Sequence, residues 1–131
     1  MHFAILLLTL FVSPPASEVS GKLAMVSGTP VLKIGVGSEA KEIRLVSKDD
    51  HIQLILADER LFSRVLHVQG TWKEKDRVFE VESLHTVRDG KEFKIAYYCP
   101  ICNVWAFKPG PCICCLQPVE LRELGEGEEA Q

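Results

Sequence analysis

Residues 99–115 read CPICNVWAFKPGPCICC and contain all five cysteines of the chain. Two residues between paired cysteines make a tight knuckle whose sulfurs converge on one metal ion, and two such knuckles complete a tetrahedron. The intervening stretch can form a short β-hairpin, with a strand over 104–107 and a Pro-Gly turn over 108–111. The spacing C-x2-C-x9-C-x2-C therefore predicts a tetrathiolate metal site with the ligands Cys99, Cys102, Cys112 and Cys115.

The first knuckle resembles the C-P-x-C-G knuckle of zinc ribbons and rubredoxins, and the likeness extends over about residues 97–119, here called the cysteine module. Asn103 stands in place of the glycine, and asparagine also tolerates the left-handed conformation. The second knuckle departs from the pattern, because Leu116 stands where glycine is usual and Cys114 is a fifth thiol. Cys114 is thus an alternative ligand or a free thiol. The resemblance implies a closed structural zinc site, with iron as the alternative metal.

Two other uses of the cysteines compete with metal binding. Disulfides would form in an oxidising compartment, although five cysteines leave one over. A redox-active C-x2-C needs a helix N-terminus to lower the pKa of a thiol. A strand precedes Cys99 and no helical period follows it, so metal binding is the preferred interpretation.

The part of the chain before the cysteines is patterned as strands. Apolar residues alternate over 42–46 and 51–56, and again over 65–72. Asp58 is the predicted N-cap of a segment with helical spacing over 58–64. Asp89-Gly90 is a hairpin turn, and a last strand over 92–98 leads into Cys99. Five or six short strands with one inserted helix resemble an OB-fold barrel, and a β-sandwich or another β-barrel is the alternative. The residues expected inside are Leu54, Leu56, Leu61, Leu66, Val68 and Val81.

Composition shifts divide the chain into four segments. Residues 1–16 contain the apolar run FAILLLTLFV followed by Pro14-Pro15, which predicts a signal peptide too short to span a bilayer. Residues 17–90 form the OB-like barrel, 91–119 the last strand with the zinc-ribbon-like metal module, and 120–131 an acidic tail. The predicted location is therefore the periplasm or the exterior, or the cytoplasm if the leader is not a signal. The build resembles that of small exported bacterial proteins without an assigned activity.

Charge and motifs restrict the function. The formal net charge is −3, and residues 91–131 hold four basic and six acidic side chains, which disfavours nucleic-acid binding. No catalytic constellation is recognisable. The histidines at 51, 67 and 85 have no carboxylate at motif spacing and are expected to be exposed on or beside strands. Trp105 and Phe107 are expected to pack the cysteine module onto the barrel.

The primary hypothesis is an exported binding or adaptor module for a protein partner, stabilised by zinc. The alternative is a metal- or thiol-handling factor that uses the cysteine cluster. An OB module that binds nucleic acid is a further alternative, viable only for a cytoplasmic protein.

Overall fold

The computed structural model describes residues 16–35, 37–74 and 77–128, so nearly all of the predicted leader lies outside the described residues. Within these ranges no helix is long and apolar enough to cross a membrane. Two short 3-10 helices occupy Gly37–Glu39 and Glu59–Leu61. The other elements, in chain order, are β1 (Ser17–Val26), β2 (Thr29–Ile34), β3 (Lys41–Val46), α1 (Asp50–Leu56), β4 (Val65–Glu74), β5 (Val78–Arg88), β6 (Lys91–Cys99), β7 (Val104–Ala106) and β8 (Glu120–Leu124).

The first five strands form a closed ring of paired strands, that is, a barrel. Strand β1 pairs antiparallel with both β2 and β4, β2 pairs with β3, and β4 pairs with β5. A parallel pairing of β3 with β5, from Arg44 opposite Val78 to Val46 opposite Glu80, completes the ring. The α-helix lies between the third and fourth strands of this ring. The predicted mainly β fold, a small OB-like barrel with one short helix, is confirmed.

The barrel is filled by alternate residues of its strands, because successive side chains of a strand point to opposite faces. Five of the six residues predicted to point inward are buried, and Leu54 is not: its exposed fraction is 46%. The central buried residues that fill the barrel are Leu23, Leu32, Ile43, Leu45, Leu56, Leu61, Leu66, Val68, Phe79 and Val81.

Residues 51–56 were predicted to form a strand, and this prediction was wrong because they form a helix. Helix α1 covers this segment, and the Asp49 side chain caps it by accepting hydrogen bonds from the backbone N–H groups of His51 and Ile52. Ile52, Ile55 and Leu56 recur at helical spacing and contribute to the core. Because four of the six residues in this segment are apolar, its pattern fits a strand and a helix equally, and the Asp49 cap decides between them.

The helix predicted over 58–64 shrinks to the single 3-10 turn Glu59–Leu61. Asp58 has the predicted N-cap role, and its side chain accepts a hydrogen bond from the Arg60 backbone N–H at 3.1 Å. The following Ser63 adopts φ 69°, a left-handed conformation that ends the turn before β4 begins.

Strand β6 belongs to both halves of the molecule. Its first residues pair with β5, from Thr86 opposite Phe93 to Arg88 opposite Lys91. Its later residues pair with β7 on one side and β8 on the other. An acidic tail was predicted from residue 120 onwards, but the first five residues of this segment form strand β8. Val119 is buried beside it, so apolar contact outweighs the acidic composition of this segment.

The two neighbouring leucines of α1 provide a test of the helical assignment. Leu56→Ala should lower the free energy of unfolding by about 2–5 kcal/mol, because it leaves a cavity in the core. Leu54→Ala is the matched control and should change stability by less than about 0.5 kcal/mol, because that side chain is half in solvent. Urea denaturation of both variants measures the difference. Equal losses would contradict the helix, since a strand would bury both residues.

Candidate metal centre

The structure brings four of the five cysteines together at the end of β6. The sulfur atoms of Cys99, Cys102, Cys112 and Cys115 all lie within 4.8 Å of one another. Cys99 and Cys112 are buried, whereas Cys102 and Cys115 are half-buried. The described cysteines are all free thiols, and the Cys99 and Cys115 sulfurs are 3.5 Å apart.

Each knuckle is shaped by backbone hydrogen bonds to sulfur and by one residue with positive φ. The Cys102 N–H donates to the Cys99 sulfur at 3.5 Å, and the Cys114 N–H donates to the Cys112 sulfur at 3.4 Å. The residue that follows each knuckle is left-handed, with φ 52° at Asn103 and φ 61° at Leu116. These are the two positions where the related knuckles carry glycine. The backbone therefore adopts, in both knuckles, the left-handed turn that glycine usually occupies, although neither knuckle has a glycine there.

The sulfur geometry fits a single tetrahedral ion. Four thiolates bound at about 2.3 Å define a tetrahedron whose edges are about 3.8 Å, close to the sulfur separations in this cluster. Four thiolate ligands suit zinc or iron and leave no position for a water molecule. The four cysteines can thus bind a metal ion such as zinc or iron.

Electrostatics give a reason for a cation at this point. Hydrogen bonding to the Cys115 thiol, followed by burial, raises the pKa of Cys102 to about 12. Backbone N–H groups of Cys115 and Cys114 lower the pKa of Cys112 to about 6. These hydrogen bonds make Cys112 ionise more readily than Cys102. Four thiolates this close together would also repel one another. A bound cation removes that repulsion and allows all four thiols to ionise.

Cys114 lies outside this group and its side chain is exposed. It sits between two cysteines of the cluster in sequence, yet its side chain points to solvent while its backbone N–H serves the Cys112 sulfur. The alternative in which Cys114 replaces a ligand has no support from this arrangement.

One histidine has partners that the sequence did not indicate. His67 contacts Glu92 through Nδ1 and lies 3.5 Å from Glu18 through Nε2, on the outer face of the barrel. His67 was expected to be an exposed strand histidine, and it is half-buried on β4. The partners are 25 and 49 residues away in sequence, and the pairing of β4 with β1 and, through β5, the position of β6 bring them together.

The two aromatic residues of the hairpin have different environments. Trp105 is half-buried and its ring centroid lies 4.8 Å from that of Tyr98 on the paired strand. Phe107, expected to pack against the barrel with Trp105, is 67% exposed. The reason is that β7 ends at Ala106, so Phe107 is outside the alternation on which the expectation rested.

A buried hydrogen-bond network joins the barrel to the cysteine module. The Tyr97 hydroxyl donates to Asp58 Oδ2 at 2.8 Å, and Arg60 donates to both Asp58 oxygens at 3.0 Å. Arg60 also donates to the Val119 carbonyl at 2.8 Å. Burial alone would raise the pKa of Asp58, but the hydrogen bonds from Arg60 and Tyr97 outweigh it and hold that pKa below its usual range. Sequence indicated the cap but not this network.

No protein-family model, curated protein or solved structure matches this chain.

The Asp58 network should give the protein a specific acid sensitivity. Because the folded-state pKa is lowered, the carboxylate stabilises the fold above its unfolded pKa of about 3.9 and loses this effect as pH falls further. Asp58→Asn should lower the free energy of unfolding by about 1–3 kcal/mol at pH 7. The gap to the unmodified protein should persist to about pH 5 and shrink below about pH 4.

The measurement is urea denaturation across this pH range, with Glu59→Gln as the matched control because Glu59 is exposed. The unmodified protein and the Asp58→Asn variant have the same cysteines, so acid affects any bound metal equally in both. The difference between their free energies of unfolding therefore isolates the effect of Asp58. A gap that stays constant down to about pH 3 would contradict a lowered pKa.

Leu116 should be more strained than the glycine usual at its position. A left-handed conformation costs a residue with a side chain about 1–2 kcal/mol. Glycine avoids this strain but loses more backbone entropy on folding, which offsets about 0.5–1 kcal/mol of the gain. Leu116→Gly should therefore raise the free energy of unfolding of the metal-loaded protein by about 0.5–1 kcal/mol. Leu116→Ala retains the Cβ atom and is the control. Greater stability of the alanine variant would refute the strain.

Proposed function

We propose that this protein is an exported binding module whose cysteine module is stabilised by zinc. The ligands are the thiolates of Cys99, Cys102, Cys112 and Cys115, and the convergence of their four sulfurs is the observation that carries the proposal. A closed tetrathiolate site supplies folding free energy and offers no open position for a substrate. Zinc is preferred because four sulfurs and no open position are typical of structural zinc.

The position of the site in the fold supports a structural role. Cys99 and Cys112 belong to the same apolar cluster as the barrel residues, together with Tyr97 and Val119. Each of these two cysteines comes from a different knuckle, so a metal ion would tie both knuckles to one core. The β6 pairings and the Asp58 network then hold the cysteine module in a fixed orientation on the barrel.

Export is the part of the proposal that rests on sequence alone. The uncharged leader at residues 1–16, with its apolar run and following prolines, supports it. In the periplasm or outside the cell, a buried and metal-bound thiolate set is shielded from the oxidation that makes disulfides elsewhere.

A second candidate function is metal or thiol handling, and the exposed thiol of Cys114 favours it. This thiol is adjacent in sequence to Cys115, which is only half-buried. A delivery protein would use such an accessible thiol to draw metal from the cluster towards an acceptor. The two functions differ in lability, since a structural site retains its metal against competitors that a delivery site does not resist.

Removal of single thiols tests the ligand set. Purified protein should hold about one zinc ion per chain, and Ser substitution of any of the four proposed ligands should lower its zinc content and thermal stability. Cys114→Ser is the matched control and should retain full zinc. Elemental analysis with free-thiol counting measures both quantities. Protein from its native compartment with no metal and at most one free thiol would show disulfides instead.

The same samples distinguish the two functions. A structural site should keep its zinc during brief exposure to a weak chromophoric chelator, in both unmodified and Cys114→Ser protein. Rapid release that slows in the Cys114→Ser variant would support metal handling and contradict the structural role.

A further inference from the structure

Three apolar side chains surround the cysteine cluster and point into solvent. Ile101, Ile113 and Leu116, here called the apolar tip, are exposed by 69%, 85% and 73%. Each is covalently adjacent to a cysteine of the cluster, which places its Cα about 3.8 Å from that of the cysteine. The convergence of the four sulfurs therefore gathers the tip at one end of the molecule.

Leu116 is unfavourable in its place for two reasons. Its φ of 61° is a conformation that glycine adopts without strain. Its exposed side chain gains little from packing in return. Bulky residues with positive φ are uncommon and are often found where a side chain has a function. An apolar contact with another molecule would provide the packing that the Leu116 side chain lacks within the chain.

Two aromatic rings, here called the Tyr98–Trp105 layer, lie next to the knuckle that carries Ile101. Tyr98 and Trp105 lie opposite each other on β6 and β7, half-buried, with ring centroids 4.8 Å apart. The Arg122 guanidinium lies 5.1 Å from the centre of the Tyr98 ring. Tyrosine and tryptophan favour the membrane–water boundary because their rings are partly apolar and partly polar. Arg122 also donates a hydrogen bond to the Glu120 carboxylate at 2.6 Å, so its charge is balanced within the chain.

Charge is nearly absent from the stretch of chain that carries the tip, and the nearest carboxylate in sequence, Glu120, is paired with Arg122. Residues 99–119 contain no acidic side chain and one basic one, Lys108. A carboxylate near the tip would oppose entry into an apolar phase, whereas a lysine can extend its ammonium group towards headgroups. Ile101 and Ile113 occupy turns and project outward, and Leu116 lies at the border of an open pocket with Pro118 and Val119. This shape suits insertion between lipids better than packing against a flat protein surface.

We propose that the apolar tip docks the protein on a lipid bilayer, with Ile101, Ile113 and Leu116 among the acyl chains and the Tyr98–Trp105 layer at the headgroups. The inference rests on the proposed function, because the metal holds the two knuckles that present the tip. The docking is peripheral and reversible, since three side chains bury far less apolar surface than a spanning helix.

Vesicle co-flotation of the full zinc-loaded chain tests the inference. The vesicles are phosphatidylcholine, with and without an added anionic lipid, and the protein should float with the phosphatidylcholine vesicles. Ile113→Asp and Ile101→Asp should each weaken binding about tenfold or more, because each places a carboxylate in the apolar layer. Leu116→Gly should also weaken binding while its zinc content stays complete. Leu54→Asp is the matched control, because Leu54 is a partly exposed leucine on α1, and it should bind normally.

Tryptophan fluorescence locates the contact without changing the tip. In a Trp72→Phe background the signal comes from Trp105 alone, since Trp72 lies in the barrel against Phe79 with ring centroids 5.0 Å apart. Brominated lipids should quench Trp105, and prior removal of zinc by a chelator should abolish the quenching.

Three outcomes would overturn the inference. Equal flotation of all variants would assign the binding to the apolar leader, which every variant retains. Zinc-loaded protein that does not float on either vesicle would exclude lipid docking while leaving the structural zinc proposal intact. Self-association lost in Ile113→Asp, without flotation, would make the tip a protein contact. Absence of zinc in the starting protein would instead refute the proposed function itself.

Discussion

The carboxylate of Asp58 is the point through which the two halves of the molecule are joined. A buried carboxylate is costly unless hydrogen bonds satisfy it, and here Tyr97 and Arg60 do so. Tyr97 stands two residues before Cys99 on β6, and Arg60 reaches past Asp58 to the carbonyl of Val119. One buried charge thus fixes the strand that enters the first knuckle and the chain that leaves the second. The cysteines depend on this junction for their position relative to the barrel.

The cluster adds a second constraint of a different kind. Four thiolates this close together repel one another, and a bound cation balances their charge. Two of its thiols are also part of the common core. Metal binding and packing of the cysteine module on the barrel therefore favour the same arrangement. This agreement is expected of a structural site and would hinder a protein that must release its metal.

Much of this arrangement follows from local sequence. The cysteine spacing predicted which four thiols converge, the strand pattern predicted the OB-like barrel, and Asp58 was recognised as a cap. Errors arose where several local patterns agreed with one segment. Residues 51–56 are so apolar that both helical and strand periodicity fit, and the Asp49 cap carried the information that separates them.

Other features depend on distant partners and were beyond any local pattern. Strand β8 exists because β6 offers it an edge, from Lys94 opposite Leu124 to Tyr98 opposite Glu120, although its composition resembles a solvated tail. The contact between His67 and Glu92 requires the register of three strands. Phe107 was mispredicted for a local reason. Its exposure follows from the exact residue at which β7 ends, and the ends of elements are poorly encoded in sequence.

The apolar tip is understandable once the metal is regarded as a replacement for a hydrophobic core. A segment of about twenty residues cannot bury enough apolar surface to fold by itself, and small modules commonly rely on metal ligation. A metal ion bound by the four cysteines would supply that stability, and the isoleucines and leucine beside the ligands would then not be needed inside. They can face outward, and even occupy a left-handed position as Leu116 does, without unfolding the knuckles. A metal-held turn is thus a means of presenting apolar side chains rigidly to another phase, which a turn stabilised by those same side chains could not do.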